Sequence, residues 1–432
     1  KLCGLGMGGP SHNGSRYAGA YERAFGTQVA GMRLRAPMML IHTVAAGGGS
    51  MLQFDGARFR VGPESAGANP GPACYRNGGP LTVTDCNVML GKLQPDYFPR
   101  VFGPRADQPL DRAVVQERFR QLAEEINWAT GEQRTPEQVA EGFLAIAVVN
   151  MANAIKRISV QRGYDVSEYT LCCFGGAGGQ HACLVADSLG MKRVYLHPHA
   201  GVLSAFGMGL ADRRLMRDQA VEARLQESLM PELVAGLERL QGEGVAEMRA
   251  QGVQAGAIRC ERNLHLRYLG SDTALLVAFS SLAGIQSSFE QTHQQRFGFI
   301  SPEKPLVVAA IQVEVIGAAE QPALVSASPV GQGALKALSV QPTVMNGATV
   351  DTAFYDRDTL PVDRPVQGPA VVIERTGTIV VEPGWQAILT REDNILLERY
   401  RPLPTRVAIG TQVDPVMLEI FNNLFMSIAE QM

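Results

Sequence analysis

Residues 172–182 read Cys172-Cys173-Phe174-Gly175-Gly176-Ala177-Gly178-Gly179-Gln180-His181-Ala182, preceded by Glu168-Tyr-Thr-Leu171 and followed by Cys183-Leu-Val-Ala-Asp-Ser-Leu-Gly190. The pattern is a buried strand, a turn with four glycines and the opening of a helix. Such a turn lets bare backbone approach a ligand, because glycine has no side chain to block it and tolerates positive φ. A helix N-terminus beside it adds partial positive charge for phosphate or ribose oxygens. Counted from Gly176, the third glycine position of G-x-G-x-x-G is taken by His181, and no Gly-Lys-Ser/Thr follows. The stretch is therefore neither the dinucleotide fingerprint nor a Walker loop. Two readings stay open: a nucleotide seat of another type, or a glycine turn that packs a helix closely on a sheet.

The surrounding chain has 432 residues, enough for two or three domains. Its hydrophobic share of 46%, charged share of 19% and net charge of −3 fit a globular protein, and give no reason to expect nucleic acid or an anionic membrane as partner. Seven cysteines without a C-x-x-C pair read as buried thiols, and a cytoplasmic location is expected. The most apolar stretch, Phe143 to Ile158, carries Asn150, Asn153, Lys156 and Arg157, and reads as too short and polar to span a bilayer. No leader is expected, and both chain ends read as cut within motifs.

Alternating strands and helices over residues 1–215 predict an α/β layer architecture. Leu40 to Ala45 reads as a strand entering Gly47-Gly48-Gly49-Ser50, and Met51 to Val61 as a hairpin around Asp55-Gly56. Helices are expected over Asp111–Trp128 and Thr135–Gly163, the second capped by Thr135-Pro136-Glu137-Gln138. Composition changes near Asp212, and residues 216–404 read as a smaller α+β, β-rich domain with a β meander over 370–389. Residues 405–432 form a linker and a last helix opened by Asp414-Pro415. Its methionines read as an interface or core stripe.

Several stretches in order resemble the hydantoinase/oxoprolinase family. They are Met7-Gly8-Gly9 with Ser15-Arg16-Tyr17-Ala18-Gly19, His42 to Ser50, Val61 to Gly67 with Pro70 to Tyr75, and Thr82-Val-Thr-Asp85. Phe174 to Ala182 and the run from Asp414 to Met432 complete the set. The resemblance implies an actin/hexokinase-like ATPase lobe in which Gly175–Gly179 lie against adenosine. A second glycine turn, Asp-Met-Gly-Gly-Thr-Ser-Thr-Asp in such proteins, wraps phosphates and corresponds to Gly6 through Asn13. Here Gly6, Pro10, His12 and Asn13 replace both aspartates and both threonines. Carboxylates in such a turn hold hydrated Mg²⁺ or orient water, which neither glycine nor asparagine does. The implied reaction is ATP-driven opening of a cyclic amide, 5-oxo-L-proline or a relative such as a hydantoin, to L-glutamate. ATP and Mg²⁺ are the implied cofactors. The implied partners are the substrate and a B-type region, whose opening the tail resembles; a homo-oligomer is also expected. The nucleotide-binding subunit of a ligase that carboxylates acetone or acetophenone, and a non-catalytic decayed copy, are the alternatives.

The candidate cofactor-binding residues are Gly8, Gly9, Ser11, Gly47, Gly48, Gly49, Gly175, Gly176, Gly178, Gly179 and His181, the last expected at a base or ribose. Asp85 and His42 are the candidate catalytic groups. Asp85 reads equally as a helix cap, and His42, on an apolar strand, as structural. Glu64 and Ser65 are candidate substrate-side groups. His197 and His199 lack the companions a metal would need, so no metal site is expected.

Overall fold

In the computed structural model, residues 1–8, 12–19, 21, 23–24, 27–29, 32–34, 38–44, 46–319, 335–403 and 414–429 are described. They form two compact units, one of Lys1–Ala24, Met38–Leu203 and Leu324–Met432, the other of Phe25–Pro37 and Ser204–Ala323. Both are mixtures of helix and sheet, so the chain is a mixed α/β protein with several sheets.

Among the described residues, the first unit holds an eight-stranded mixed sheet. Its order is Pro365–Gln367, Trp385–Leu389, Ile395–Arg399, Arg193–Leu196, Thr170–Phe174, Leu2–Met7, His12–Tyr17 and His42–Val44. Strands Arg193–Leu196, Thr170–Phe174 and Leu2–Met7 run parallel in the middle. Side-chain alternation explains the first strand: Cys3, Leu5 and Met7 enter the core while Gly4 and Gly6 face the other way. Gly6 lies under the Phe174 ring, which a Cβ there would overlap.

Helix Gly178–Leu189 lies between this sheet and a four-stranded one ordered Ser339–Met345, Ala348–Asp356, Ala370–Ile373 and Thr378–Val381. Cys183 Sγ reaches the Val380 carbonyl at 3.4 Å, and Asp187 accepts from Trp385 Nε1 and from Arg399 Nε at 2.6 Å. Helix Pro136–Ile158 carries the expected capping box between Thr135 and Gln138. It is longer than the apolar stretch suggested, and by length and composition alone could cross a membrane. Most of its side chains, from Val139 to Ile158, are instead buried in the first unit's core.

The second unit has an antiparallel sheet ordered Arg213–Arg224, Leu306–Gly317, Ile258–Tyr268 and Leu275–Ala278. Helix Met230–Ala250 approaches it closely because Gly236 and Gly244 face Ile311 and Val315, where a Cβ would come within 2.6 Å of either side chain.

By compactness, 204–323 belongs to the second unit and the strands from 339 onward to the first. The cause is pairing, since Ile395–Arg399 runs antiparallel to Arg193–Leu196 and buries Ile395 and Leu397 there. The meander is also broken after Val381, because Trp385–Leu389 pairs into the large sheet. All seven cysteines are free thiols, and burial pushes those of Cys3 and Cys172 up to about 11.

Candidate functional site: a cleft between two glycine turns

Strand Thr170–Phe174 ends at Gly175, whose φ of +86° suits glycine. A Cβ there would overlap the Met7 carbonyl, so two strand ends meet backbone to backbone. The Gly175 amide donates to the Ala200 carbonyl at 2.8 Å, and the Ala177 amide to Met7 at 3.4 Å. Gly178 and Gly179 are buried, and side chains there would meet Cys173 Sγ at 2.8 Å and the Thr378 carbonyl at 2.7 Å. The packing reading of the turn holds for part of it. Gly178 and Gly179 pack the helix, whereas Gly176 and Ala177 face a cleft of about 280 Å³.

The turn Gly47–Gly49 forms the opposite wall. A Cβ on Gly48 would stand 3.7 Å from that of Ala177 and 2.7 Å from Thr84 Oγ1. The Thr84 amide and hydroxyl both donate to the Gly48 carbonyl at 2.9 Å. The Gly49 carbonyl accepts from Ala66 at 2.9 Å, and the Gly47 amide donates to Ser50 Oγ at 2.9 Å. Gly48 and Gly49 line the cleft, and Gly8 reaches it from the end of strand Leu2–Met7. Gly9 and Ser11 lie outside the described residues.

Sequence reasoning missed the remaining walls. Tyr75, Tyr97 and Phe98 supply apolar rings, and the tight turn Glu374–Thr378 closes another side. Its signal was the Gly377 turn in the β run, which says nothing about which sheet the turn faces. Arg357 Nε lies 3.0 Å from Glu374 Oε1. Burial pushes the Glu374 carboxyl up to about 6 against the pull of that guanidinium. Gln180 also faces the cleft, held by Asn87 Nδ2 at 2.9 Å.

Three candidate side chains stand elsewhere. Asp85 is wholly buried in a capping box at the start of helix Val83–Met89. Its oxygens accept from the amides of Ala73 (3.1 Å), Cys74 (2.9 Å) and Thr82 (2.8 Å), and from Thr82 Oγ1 (3.0 Å). Four donors saturate the carboxylate, so Asp85 clasps the loop before the helix rather than reaching a ligand. Burial pushes its carboxyl up, and those bonds oppose the shift. His181 is also fully buried, 3.4 Å from Asn87 Nδ2, and does not line the cleft. Desolvation, with the Lys92 charge, lowers it to about 3. His42 faces a different cavity, with Arg157. His197 Nδ1 accepts from the His199 amide at 3.0 Å. Ser65 donates to the Gly49 carbonyl at 3.3 Å, beside the cleft, and Glu64 is an exposed residue of strand Phe59–Ser65.

Gly6 and Asn13 bound the stretch expected to wrap phosphates. Gly6 pairs with Asn13 across the sheet, and the Phe174 ring covers the space a side chain at Gly6 would need. Asn13 Oδ1 accepts from Thr43 Oγ1 at 2.7 Å.

A hydantoinase/oxoprolinase family model matches residues 1–217, and one for the hydantoinase/oxoprolinase C-terminal domain matches residues 220–399. The chain belongs to the hydantoinase/oxoprolinase family. It is 39% identical to "5-oxoprolinase 1" of Arabidopsis thaliana over 445 residues, covering 100% of this chain and 35% of that protein. The chain thus spans about a third of that relative's length. Among solved structures, an ATP-dependent caprolactamase from Pseudomonas jessenii superposes with a TM-score of 0.81 at 30% identity, covering 93% of this chain and 59% of the other. A nucleotide-free acetone carboxylase superposes with a TM-score of 0.69 at 22% identity over 92% of this chain and 58% of the other, which speaks for the fold alone.

Proposed function

We propose that this chain is the nucleotide-binding part of an ATP-dependent cyclic amidase that opens 5-oxo-L-proline to L-glutamate. One observation carries the reading: two glycine turns from separate strands face each other across a cleft beside a helix N-terminus, with aromatic rings on a further wall. Bare backbone at Gly48 and Gly176 admits a phosphate or sugar, the dipole of helix Gly178–Leu189 favours an anion, and Tyr97 or Phe98 offers a base a stacking face. The parallel strands with a Gly-Gly-x-Gly turn against adenosine suit an actin/hexokinase-like lobe. Likeness to a caprolactamase at 30% identity favours an amidase over the carboxylating ligase.

An amide carbonyl is a poor electrophile, and ATP supplies the phosphoryl group that activates its oxygen for attack by water. The contribution of this chain is positioning: Thr84 fixes the Gly48 carbonyl, Asn87 fixes Gln180, and the Gly175–Met7 junction sets the floor. The residues do not fit a dedicated Mg²⁺ site. Gly6 and Asn13 stand where carboxylates are needed, and Glu374, the one carboxylate lining the cleft among the described residues, is paired with Arg357. Phosphoryl transfer then needs acids from outside this chain, and a B-type region completes the hydrolysis. That division also accommodates a copy that binds nucleotide without turnover.

The test is calorimetric titration of the chain with ATP, alongside Ala177→Glu. Glutamate suits the start of a helix, so folding persists, while its charge enters the cleft. The expected result is measurable binding by the wild type, weakened about tenfold or more in the variant. Absence of binding by the wild type, or equal affinity in both, would overturn the proposal.

A further inference from the structure

A second cavity of about 660 Å³ lies in the same unit as the glycine cleft. One segment walls both: His42, Val44 and Ala46 face the larger cavity, Gly48 and Gly49 the cleft. Hydrogen-bond donors from three elements converge on the larger one. Arg58 and Arg60 come from the hairpin, Arg157 from helix Pro136–Ile158, and the carboxamide of Asn423 from helix Pro415–Ala429. A guanidinium fork matches a carboxylate in shape as well as charge.

Among the described lining residues, acid is scarce. Glu419 is the one carboxylate there, with Oε2 at 3.4 Å from Arg58, and burial pushes its carboxyl up. Asp55, outside the lining, braces the hairpin cations, at 2.8 Å from Arg60 and 3.4 Å from Arg58. Burial, with Arg157 adding to it, lowers the His42 imidazole, so near neutral pH it offers a neutral ring.

We infer that this cavity binds the carboxylate of a small cyclic-amide acid, with Arg60 and Arg157 as its principal contacts. The identity of the acid rests on the function proposed above; the anion chemistry of the cavity does not. In 5-oxo-L-proline the carboxylate sits on the carbon next to the ring nitrogen, so the gripped group adjoins the amide. A neutral lactam accepts hydrogen bonds from these guanidiniums but lacks the charge that pairs with them, so the cavity selects for charge.

The experiment titrates the whole chain by calorimetry with 5-oxo-L-proline and with its uncharged carboxamide, using wild type, Arg60→Gln and Arg157→Gln, with ATP titrated in parallel. The wild type is expected to bind the acid at least about tenfold more tightly than the carboxamide. Each glutamine variant is expected to lose about tenfold for the acid while leaving carboxamide and ATP affinity unchanged. Equal binding of acid and carboxamide, no heat with the acid, or loss of acid binding in Ala177→Glu alone would overturn the inference. If a glutamine variant fails to fold by circular dichroism, the wild-type comparison of the two ligands decides. Selective acid binding without ATP binding would keep this site and reject the nucleotide reading; ATP binding without acid selectivity would do the reverse.

Discussion

The turn at Gly175–Gly179 and the paired strand residues Gly6 and Asn13 differ in how strictly packing holds them. At Gly175 a positive φ and the Met7 carbonyl together exclude any side chain. Gly178 and Gly179 are closed in by Cys173 and Thr378. On the other side, Asn13 is exposed, and its Oδ1 accepts from Thr43 Oγ1. Fold stability therefore guards the first turn whether or not a nucleotide binds. At Asn13 a carboxylate can replace the carboxamide without harming the sheet. Gly6 stands between these cases, since Phe174 now fills the space an aspartate would occupy.

Substitutions can break this contrast, beginning with the most severe. Gly175→Ala is expected to cost about 3–5 kcal/mol in chemical denaturation, through left-handed strain plus overlap with backbone. A loss below about 1 kcal/mol would mean the strand ends do not abut. Gly6→Asp is expected to cost about 2–4 kcal/mol, from overpacking and a buried charge. Shortening the neighbour in the double variant Gly6→Asp/Phe174→Ala should give a non-additive recovery; simple additivity would deny their contact.

A smaller effect tests the cleft itself. Glu374, with a carboxyl near 6, is ionised at pH 7.5 and mostly neutral at pH 5.5. Because the neutral form repels an anion less, ATP affinity should rise by about threefold more in wild type than in Glu374→Gln over that interval. Identical pH profiles would remove Glu374 from the site. Asn13→Asp should change stability by less than about 0.5 kcal/mol, since a carboxylate accepts the Thr43 bond equally well. A larger change in the thermal midpoint would show that asparagine there is structurally required.

The strand–turn–helix at 170–189 was legible because an apolar run, a glycine cluster and helical periodicity coincide there. The caps were legible too: Thr135 binds Gln138, and Asp414 Oδ1 accepts from Val416 and Met417 at 2.8 and 3.0 Å. The return of the last strands to the first sheet was not. A β-prone run such as Ile395–Arg399 has the same local pattern whether it joins a new domain or returns to the first sheet. Asp85, which the sequence also offered as a helix cap, and His181 were ambiguous for a related reason. Both adjoin ligand-like motifs, but helical spacing turns their side chains into the core, and sequence proximity to a glycine turn does not give direction. The walls from Tyr97, Phe98 and 374–378 depend on long-range packing and carry no local mark.

The central claim is that nucleotide sits between the glycine turns at 47–49 and 175–179. Hydrogen–deuterium exchange with and without ATP tests it most directly. Slowed exchange over both 47–50 and 174–181, with the second unit unchanged, is the expected result. Protection confined to other segments, or none at saturating ATP, would contradict it.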